Sequence, residues 1–160
     1  MAITVGDKIP VGTLKIAAAD GIKDVSTDKL FGGGKVVLFA VPGAFTPVCS
    51  AQHLPGFIAK AGEIKAKGVD AIVCLAVNDP FVMDAWGRAQ NAGDDVVMAA
   101  DGNAEFTRAL GLEFDASGFG MGVRAQRFAM IVDAGEVKSL YVEEPMKFEV
   151  SSAEAILENL

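Results

Sequence analysis

The sequence predicts an α/β protein with a mixed central sheet flanked by helices. Short apolar runs alternate with segments patterned as helices, and the chain closes with a hairpin pattern and one last helix. Such alternation is typical of parallel strands joined by helical crossovers, and a hairpin adds antiparallel strands to the sheet. With 160 residues, 51% of them hydrophobic and 22% charged, the chain is expected to form one domain, residues 1–160.

The first part of the chain contains a hairpin pattern, a short helix and a strand. The segment TLKIAAADGIKDVS (13–26) is typical of a hairpin around Asp20-Gly21, a pair that favours a type I′ turn. STDKLF follows as a short helical turn that Ser26 can cap. GGGK is a flexible link that lacks the spacing of a phosphate-binding loop. KVVLFAV (35–41) is a continuous apolar run, which predicts a central strand covered on both faces.

The middle of the chain alternates helices with strands. Thr46 to about Lys67 is expected to be one long helix, interrupted near Pro55 because proline lacks a backbone donor. VDAIVCLAV (69–77) predicts a second buried strand, and VVMAA (96–100) predicts a third.

A helix between the second and third strands is predicted to begin at Asp79. This residue can cap the helix, and Pro80 suits its first position. Four apolar residues are expected to share one face of this helix: Phe81, Ala85, Trp86 and Ala89. Trp86 is expected to belong to the core.

The last part of the chain predicts a short helix, a hairpin and a closing helix. NAEFTRAL (103–110) is helical in pattern and is ended by Gly111. RFAMIVD and EVKSLYV form a hairpin around Ala134-Gly135, and SSAEAILENL is a helix capped by Ser151 or Ser152. This order of elements is also that of a thioredoxin-like fold with an added N-terminal β-hairpin.

Composition and charge exclude several classes of partner. The net charge is −7 and no basic cluster is present, which argues against nucleic acid and against an anionic membrane. No apolar stretch reaches the roughly 20 residues that span a bilayer. The start, MAITVGDKIP, lacks the features of a signal peptide. A cytoplasmic location is therefore expected, or a chain whose targeting segment has been removed.

The cysteine content indicates thiol chemistry rather than a disulfide framework or a metal site. Two cysteines, Cys49 and Cys74, are too few to form a disulfide framework for a chain of this size. In a reducing cytosol such cysteines are expected to be buried, catalytic or redox-sensing. One histidine and two cysteines fall short of a tetrahedral zinc site. Neither a metal nor another cofactor is expected.

Cys49 lies where a helix is expected to begin. Thr46 is a good N-cap and Pro47 suits the first helical position, so Cys49 is third in the helix. Unpaired backbone N–H groups and the positive end of the helix dipole favour a thiolate there. The alternative is that Cys49 only packs, since free cysteine is among the most buried residue types.

Residues around Cys49 resemble a known family. Pro42, Thr46 and Cys49 match the PxxxTxxC signature of peroxiredoxins. The longer FTPVCSAQHLPGF, then VNDPFVMDAWG and later RFAM, closely resembles the type II (peroxiredoxin V-like) class over roughly residues 3–160. The resemblance implies a thiol-dependent peroxidase acting on hydrogen peroxide and small alkyl hydroperoxides.

The resemblance also implies a role for each matching residue. Cys49 would attack one peroxide oxygen and become a sulfenic acid. Thr46 would bind the thiolate and the peroxide through its hydroxyl, and Pro42 would shield the pocket from water. The N–H groups of Cys49 and Val48 would hold peroxide oxygens. Arg127, which opens RFAM, would stabilise the thiolate and the transition state, the alternative being a surface strand arginine.

Other residues near these motifs have open roles. Arg124, which is expected on the opposite strand face from Arg127, could organise the preceding loop or brace the pocket. His53, one turn after Cys49, could form a Cys–His hydrolase dyad, but we favour a polar or interface histidine near the Pro55 kink. Phe45 and Phe57 are expected to be pocket wall and core.

The absence of a late cysteine bears on how the enzyme is recycled. Cys74 lies inside AIVCLAV and is expected to be buried and structural, and no cysteine follows it. We therefore expect no resolving cysteine and a one-cysteine cycle, with glutathione and glutaredoxin as the first choice of reductant and thioredoxin as the second. A homodimer is implied by the resemblance. The alternative function is a redox-sensing thioredoxin-like module without turnover.

Overall fold

The structure is a computed structural model that describes all 160 residues. Its strands are β1 Thr13–Ala18, β2 Gly21–Ser26, β3 Lys35–Ala40, β4 Ala71–Ala76, β5 Val97–Ala100, β6 Glu113–Asp115, β7 Val123–Ala125, β8 Phe128–Asp133 and β9 Glu136–Val142. Its α-helices are α1 Thr27–Phe31, α2 Leu54–Ala66, α3 Pro80–Ala89, α4 Glu105–Leu110 and α5 Ala153–Glu158. A π-helical turn, Cys49–His53, leads into α2, and a 3₁₀ turn spans Ser117–Phe119.

Seven strands form one mixed sheet in the order β2-β1-β5-β4-β3-β8-β9. The three central strands β3, β4 and β5 run parallel, while β1, β8 and β9 pair antiparallel. One apolar cluster fills each face of the sheet: α2, α3 and α5 contribute to one, and α1 and α4 to the other. The predicted α/β thioredoxin-like fold with a mixed central sheet, flanking helices and an N-terminal hairpin is confirmed. No helix combines the length and the apolar character needed to cross a membrane.

The two hairpin turns differ in backbone geometry. The loop of the first hairpin is Ala19-Asp20, since Ala18 pairs with Gly21, and neither loop residue has a positive φ. The type I′ turn predicted at Asp20-Gly21 is therefore wrong. The second hairpin has φ of 49° at Ala134 and 80° at Gly135, which is the left-handed pair that a type I′ turn requires.

Helix α3 buries a different face from the predicted one. Its inward residues are Met83, Trp86 and Gly87, spaced three and four apart, while Phe81 is 72% exposed. Ala85 and Ala89 are also exposed, so only Trp86 of the predicted face lies in the core. Apolar spacing alone did not reveal the face because Gly87, which lets Met98 approach, has no hydrophobic side chain of its own.

The capping predictions hold at three helix starts and one helix end. The side chains of Ser26, Asp79 and Ser152 each accept a backbone N–H in the first turn of their helices. Gly111 ends α4 with φ of 72°, a conformation that glycine adopts without strain.

Candidate active site

A tight turn after β3 delivers the chain to Cys49. Phe45 has φ of 64°, in the left-handed region that a bulky residue rarely occupies. The N–H of Ala44 donates to Asn78 Oδ1 at 2.9 Å, which ties this turn to the end of β4. A Cβ added at Gly43 would lie only 3.0 Å from Met121 Cε and 3.1 Å from Thr46 Cγ2, so the turn is packed tightly around this glycine. Backbone strain here is held by neighbouring contacts, as is common at functional sites.

The helix begins at Thr46, as predicted, but the Thr46 hydroxyl does not cap the helix. The Thr46 carbonyl accepts the first hydrogen bond of the helix, from Ser50 N at 2.9 Å, so Thr46 occupies the N-cap position. The hydroxyl instead donates to the Gly43 carbonyl at 2.7 Å and makes no hydrogen bond to Cys49. Because that donation uses the hydroxyl proton, the Thr46 oxygen keeps its lone pairs for accepting a hydrogen bond from another group.

The interruption predicted near Pro55 takes the form of a wider helical turn. Leu54 N donates to the Cys49 carbonyl, five residues earlier, across the π-helical turn that precedes Pro55. Proline lacks an N–H and its ring clashes with the carbonyl four residues back, so a wider turn accommodates it without breaking the helix. The wide turn places Cys49 and His53 on the inner side, and both are buried.

Two backbone donors at the helix start are free. Neither the N–H of Val48 nor that of Cys49 donates to a protein acceptor, because the first bond of the helix comes from Ser50. Together with the helix dipole, these groups favour negative charge beside Cys49.

Arg127 supplies the cation. Its Nη2 donates to Cys49 Sγ at 3.1 Å, across 78 positions of sequence. The register explains this contact: Phe128, the first residue of β8, pairs with Ala40, the last residue of β3. Arg127 therefore lies beside the strand end from which the Cys49 turn departs. No carboxylate forms a salt bridge with Arg127, so its charge is available to the thiol.

Arg124 occupies a separate position. It lies in β7, and its Nε and Nη1 donate to the carbonyls of Met121 and Val77 at 2.9 and 3.0 Å. Of the two roles left open for Arg124, organising the loop matches these contacts, since they join the loop before β7 to the end of β4. It makes no hydrogen bond with Cys49 or Arg127.

His53 is buried and both ring nitrogens are engaged. Its Nδ1 lies 2.8 Å from Arg127 Nη1, and its Nε2 lies 2.8 Å from the Ser151 carbonyl. Because a guanidinium only donates and a carbonyl only accepts, Nδ1 must accept and Nε2 must carry the proton. Burial, and then the charge of Arg127, lower the pKa of His53 to about 3.

This geometry removes the hydrolase alternative. A Cys–His dyad needs a ring nitrogen free to take the thiol proton, whereas Nδ1 of His53 is bound to Arg127. The histidine is a neutral bridge between Ser151 and Arg127. Sequence reasoning placed it correctly one turn from Cys49 but could not identify its partners, because both are distant in sequence.

The two phenylalanines near Cys49 lie in different surroundings. Phe57 is fully buried and stacks on Phe39 with ring centroids 4.1 Å apart, which confirms it as core. Phe45 is 56% exposed, so it is not a core residue, and its place in the pocket wall stays a prediction; its left-handed backbone directs it outward near Trp86. Pro42 is half-buried and Val48 is exposed at the helix start.

Three residues that sequence reasoning missed surround His53 and Arg127. Phe148 packs against the His53 ring, with centroids 4.9 Å apart, and lies under the Arg127 guanidinium at 5.8 Å. Ser151 accepts from His53, and Glu143 binds the segment that carries both residues. No periodic pattern marks this segment, because it has neither helix nor strand between β9 and α5.

Comparisons with known proteins agree with this fold and show the family. The family model described as Redoxin matches residues 4–157. Chloroplastic Peroxiredoxin-2E-2 of Oryza sativa subsp. japonica is 56% identical over 163 residues, covering 99% of this chain and 72% of that protein. Peroxiredoxin-2D of Arabidopsis thaliana is 50% identical over 159 residues, covering 99% of this chain and 98% of its own.

A solved structure is equally similar. The crystal structure of reduced Prx3 in complex with H₂O₂ from Vibrio vulnificus has 55% sequence identity, covers 98% of each chain and gives a TM-score of 0.95. The close identity to named peroxiredoxins over nearly the whole chain shows a thiol-dependent redox enzyme. The chain belongs to the type II (peroxiredoxin V-like) peroxiredoxins, and its activity is that of a thiol-dependent peroxidase.

Proposed function

We propose that Cys49 is the peroxidatic cysteine and that it reduces hydrogen peroxide and small alkyl hydroperoxides. The contact that carries this proposal is the 3.1 Å hydrogen bond from Arg127 Nη2 to Cys49 Sγ. The thiolate attacks the terminal oxygen of R–O–OH, the S–O bond forms and the O–O bond breaks. Cys49 becomes a sulfenic acid that keeps the hydrogen of the attacked OH, and the leaving RO⁻ takes a proton from water, equivalent to the one that the thiol lost on ionising, to give ROH.

The surroundings of Cys49 supply the groups that this step requires. The free N–H groups of Val48 and Cys49, with the Arg127 guanidinium, are donors for the charge that grows on the leaving oxygen. Thr46 can accept a hydrogen bond from the peroxide O–H, since its own proton is donated to the Gly43 carbonyl. Pro42, which is half-buried in the turn, limits water at the thiolate.

We further propose a one-cysteine cycle. Cys74 is fully buried within β4, and burial, then the nearby Cys49, raise its pKa well above the ordinary value. A thiol of that kind does not attack a sulfenic acid readily. An external thiol therefore condenses with Cys49–SOH, releasing water, and a second thiol reduces the mixed disulfide. Glutathione with glutaredoxin is the first candidate for this pair, and thioredoxin is the second.

A homodimer is proposed from the surface around the Cys49 turn. Apolar side chains are exposed there on three segments: Phe45 and Val48 after β3, Phe81 at the start of α3 and Phe119 in the 3₁₀ turn. Contacts of Ala44 with Asn78 and of Gly43 with Met121 bring these segments together. Such a patch favours a second copy of the chain. Sedimentation velocity should give one dimeric species, and Phe81→Glu should shift it to monomer.

The proposed activity is tested by the reaction of the protein with one equivalent of peroxide. Reduced protein is mixed with one equivalent of hydrogen peroxide, and thiol loss is followed in the wild type and in Cys49→Ser. Rapid loss of one thiol in the wild type alone supports the proposal, whereas loss at the rate of a free thiol contradicts it.

Recycling is then measured with each candidate reductant. Peroxide consumption with glutathione and glutaredoxin is compared with consumption by thioredoxin and its reductase. A cycle that stops in Cys74→Ser would contradict the one-cysteine assignment.

The cytoplasmic location stays a prediction, to be checked by localising the tagged protein in its own cells, since the rice relative is a chloroplastic protein.

A further inference from the structure

The carboxylate of Glu143 is buried and organises the segment that follows β9. Its Oε2 accepts from the N–H groups of Glu149, Val150 and Ser151 at 2.9 Å and from the Ser151 hydroxyl at 2.7 Å. Its Oε1 accepts from Glu149 N at 2.9 Å. Residues 144–151, here termed the strap, therefore fold around one carboxylate.

Glu143 stays ionised in this position. Burial by itself would raise the pKa of Glu143, but the hydrogen bonds from Ser151, Glu149 and Val150 outweigh it and lower the pKa below the ordinary value. An ionised carboxylate only accepts, which suits a site that consists entirely of donors. The Glu143 N–H also donates to the Arg127 carbonyl at 2.9 Å, so Glu143 binds both the strap and the backbone of Arg127.

The strap brings two groups to His53. The Ser151 carbonyl accepts from His53 Nε2, and the Phe148 ring packs against the imidazole. The carbonyl is the decisive group, because it keeps the ring proton on Nε2 and so leaves Nδ1 as an acceptor for Arg127. Were the proton on Nδ1, it would face a guanidinium donor and the two groups would separate.

His53 in turn fixes the direction of the guanidinium. Nη1 of Arg127 is bound to His53, and Nη2 is bound to Cys49 Sγ. A planar guanidinium held at one nitrogen has little freedom at the other. Contacts thus run without a gap from the Glu143 carboxylate through Ser151, His53 and Arg127 to the thiol.

We propose that Glu143 is a positioning residue for peroxide reduction: by folding the strap it holds Ser151 and His53 so that Arg127 points at Cys49. The proposal rests on the proposed role of Arg127 in the reaction. Glu143 itself touches neither Cys49 nor a reacting atom, so it acts only through this series of contacts.

The first experiment compares Glu143→Ala and Glu143→Gln with Glu144→Gln. Glu144 is an exposed neighbour whose partner is the surface residue Lys147, so it is a matched carboxylate control. Two quantities are measured below the melting temperature of every variant: the second-order rate constant with hydrogen peroxide, and the pH midpoint of Cys49 alkylation by iodoacetamide, with the Cys49 peptide resolved by mass spectrometry.

The expected result is a graded loss. Glu143→Ala should lower the rate constant by about tenfold, because a misplacement of about 1 Å caused by a remote substitution can cost up to about 10²-fold. Glu143→Gln, which keeps one acceptor oxygen, should fall between Glu143→Ala and wild type, and Glu144→Gln should match wild type. The alkylation midpoint should move to higher pH in the same order. If the melting temperature falls while rate and midpoint stay at wild-type values, Glu143 is merely structural and the proposal is wrong.

A double-mutant comparison separates this proposal from the role of Arg127. In an Arg127→Ala background, Glu143→Ala should cause no further decrease in rate, since its effect passes through the missing guanidinium. An equal decrease in both backgrounds would overturn the positioning role while leaving Arg127 as catalytic. An Arg127→Ala variant with wild-type rate would instead overturn the proposed function itself.

If Glu143→Ala does not fold, Ser151→Ala replaces it. This variant deletes only the hydroxyl bond to Glu143 and keeps the backbone carbonyl that His53 binds. We expect a rate decrease of about threefold that again disappears in the Arg127→Ala background; it is smaller than for Glu143→Ala because the backbone N–H groups of Glu149, Val150 and Ser151 still bind the carboxylate. A persistent decrease in that background would count against the proposal.

Discussion

Cys49 and Cys74 are both free, both fully buried and both part of the same apolar cluster, yet their neighbours differ completely. Cys49 lies at a helix start, beside unpaired N–H groups and 3.1 Å from a guanidinium nitrogen. Cys74 lies in the central strand β4, with Phe39 and Met98 as its register partners. Its backbone belongs to the sheet, whose donors are already used by neighbouring strands.

Burial alone does not distinguish the proposed peroxidatic cysteine from Cys74, since both thiols are fully buried. Burial raises the pKa of Cys74, the charge of Cys49 raises it further, and the more distant charge of Arg127 does not compensate. What separates the two thiols is the supply of hydrogen-bond donors within reach. A helix start and an arginine provide donors, whereas the interior of a parallel sheet provides none.

The largest difference between the two cysteines is expected when each is replaced separately. Cys49→Ser should lower the peroxide rate constant by at least about 10³-fold, because a hydroxyl at its ordinary pKa is a weak nucleophile. Cys74→Ala should retain the wild-type rate. Stopped-flow measurement with hydrogen peroxide checks both, and a large loss in Cys74→Ala would show that the two cysteines are not so different.

Removing the cation should make Cys49 resemble Cys74. Arg127→Ala should lower the rate constant by about 10²-fold to 10³-fold, the typical effect of deleting a donor to developing negative charge. Arg127→Lys should recover part of this loss, because an ammonium keeps the charge but cannot reach His53 and Cys49 with the fork of a guanidinium. Arg88→Ala is the control: Arg88 pairs with Asp84 on the surface and should not affect the rate.

A third test concerns the neutral histidine that accompanies Cys49 but not Cys74. The pKa of His53 is about 3 in the folded protein against 6.5 ordinarily, so between these values the unfolded chain binds a proton that the folded one does not. The free energy of unfolding should therefore fall as pH decreases from 6.5 towards 3, by about 1.4 kcal/mol per pH unit from this group.

His53→Gln should remove this contribution and leave a flatter pH profile. His53 is the only histidine of the chain, so the difference between the two profiles isolates it. Urea unfolding at several pH values between 4.5 and 7.5 makes the measurement. Parallel profiles for wild type and variant would show that the buried imidazole is protonated in the fold.

The smallest expected effects are those on stability at Cys74. Cys74→Ala should cost about 1–2 kcal/mol through lost packing in the apolar cluster. Cys74→Ser should cost about 1–3 kcal/mol more, because the sheet interior offers its hydroxyl no partner. Cys49→Ser should be better tolerated, since Arg127 can donate to the new oxygen. Denaturant midpoints of the three variants decide this order.

Much of the fold could be predicted from local sequence. Apolar runs indicated β3, β4 and β5, and capping residues located the starts of α1, α3 and α5. Errors arose where local signals admit two outcomes. The Asp20-Gly21 pair resembled a type I′ turn, but the loop closed one residue earlier. Apolar spacing in α3 suggested an outward face, because the inward one includes a glycine.

The sequence by itself pointed to the proposed nucleophile: Thr46 and Pro47 begin a helix, and the free N–H groups of that helix start favour negative charge beside Cys49. Only the tertiary structure decided what completes the site. The register of β3 with β8 brings Arg127 to the thiol across 78 residues, and the strap brings Ser151 to His53 across 98. Local sequence determines backbone preference within a few residues, whereas contacts at such separations depend on how strands pair and how loops pack.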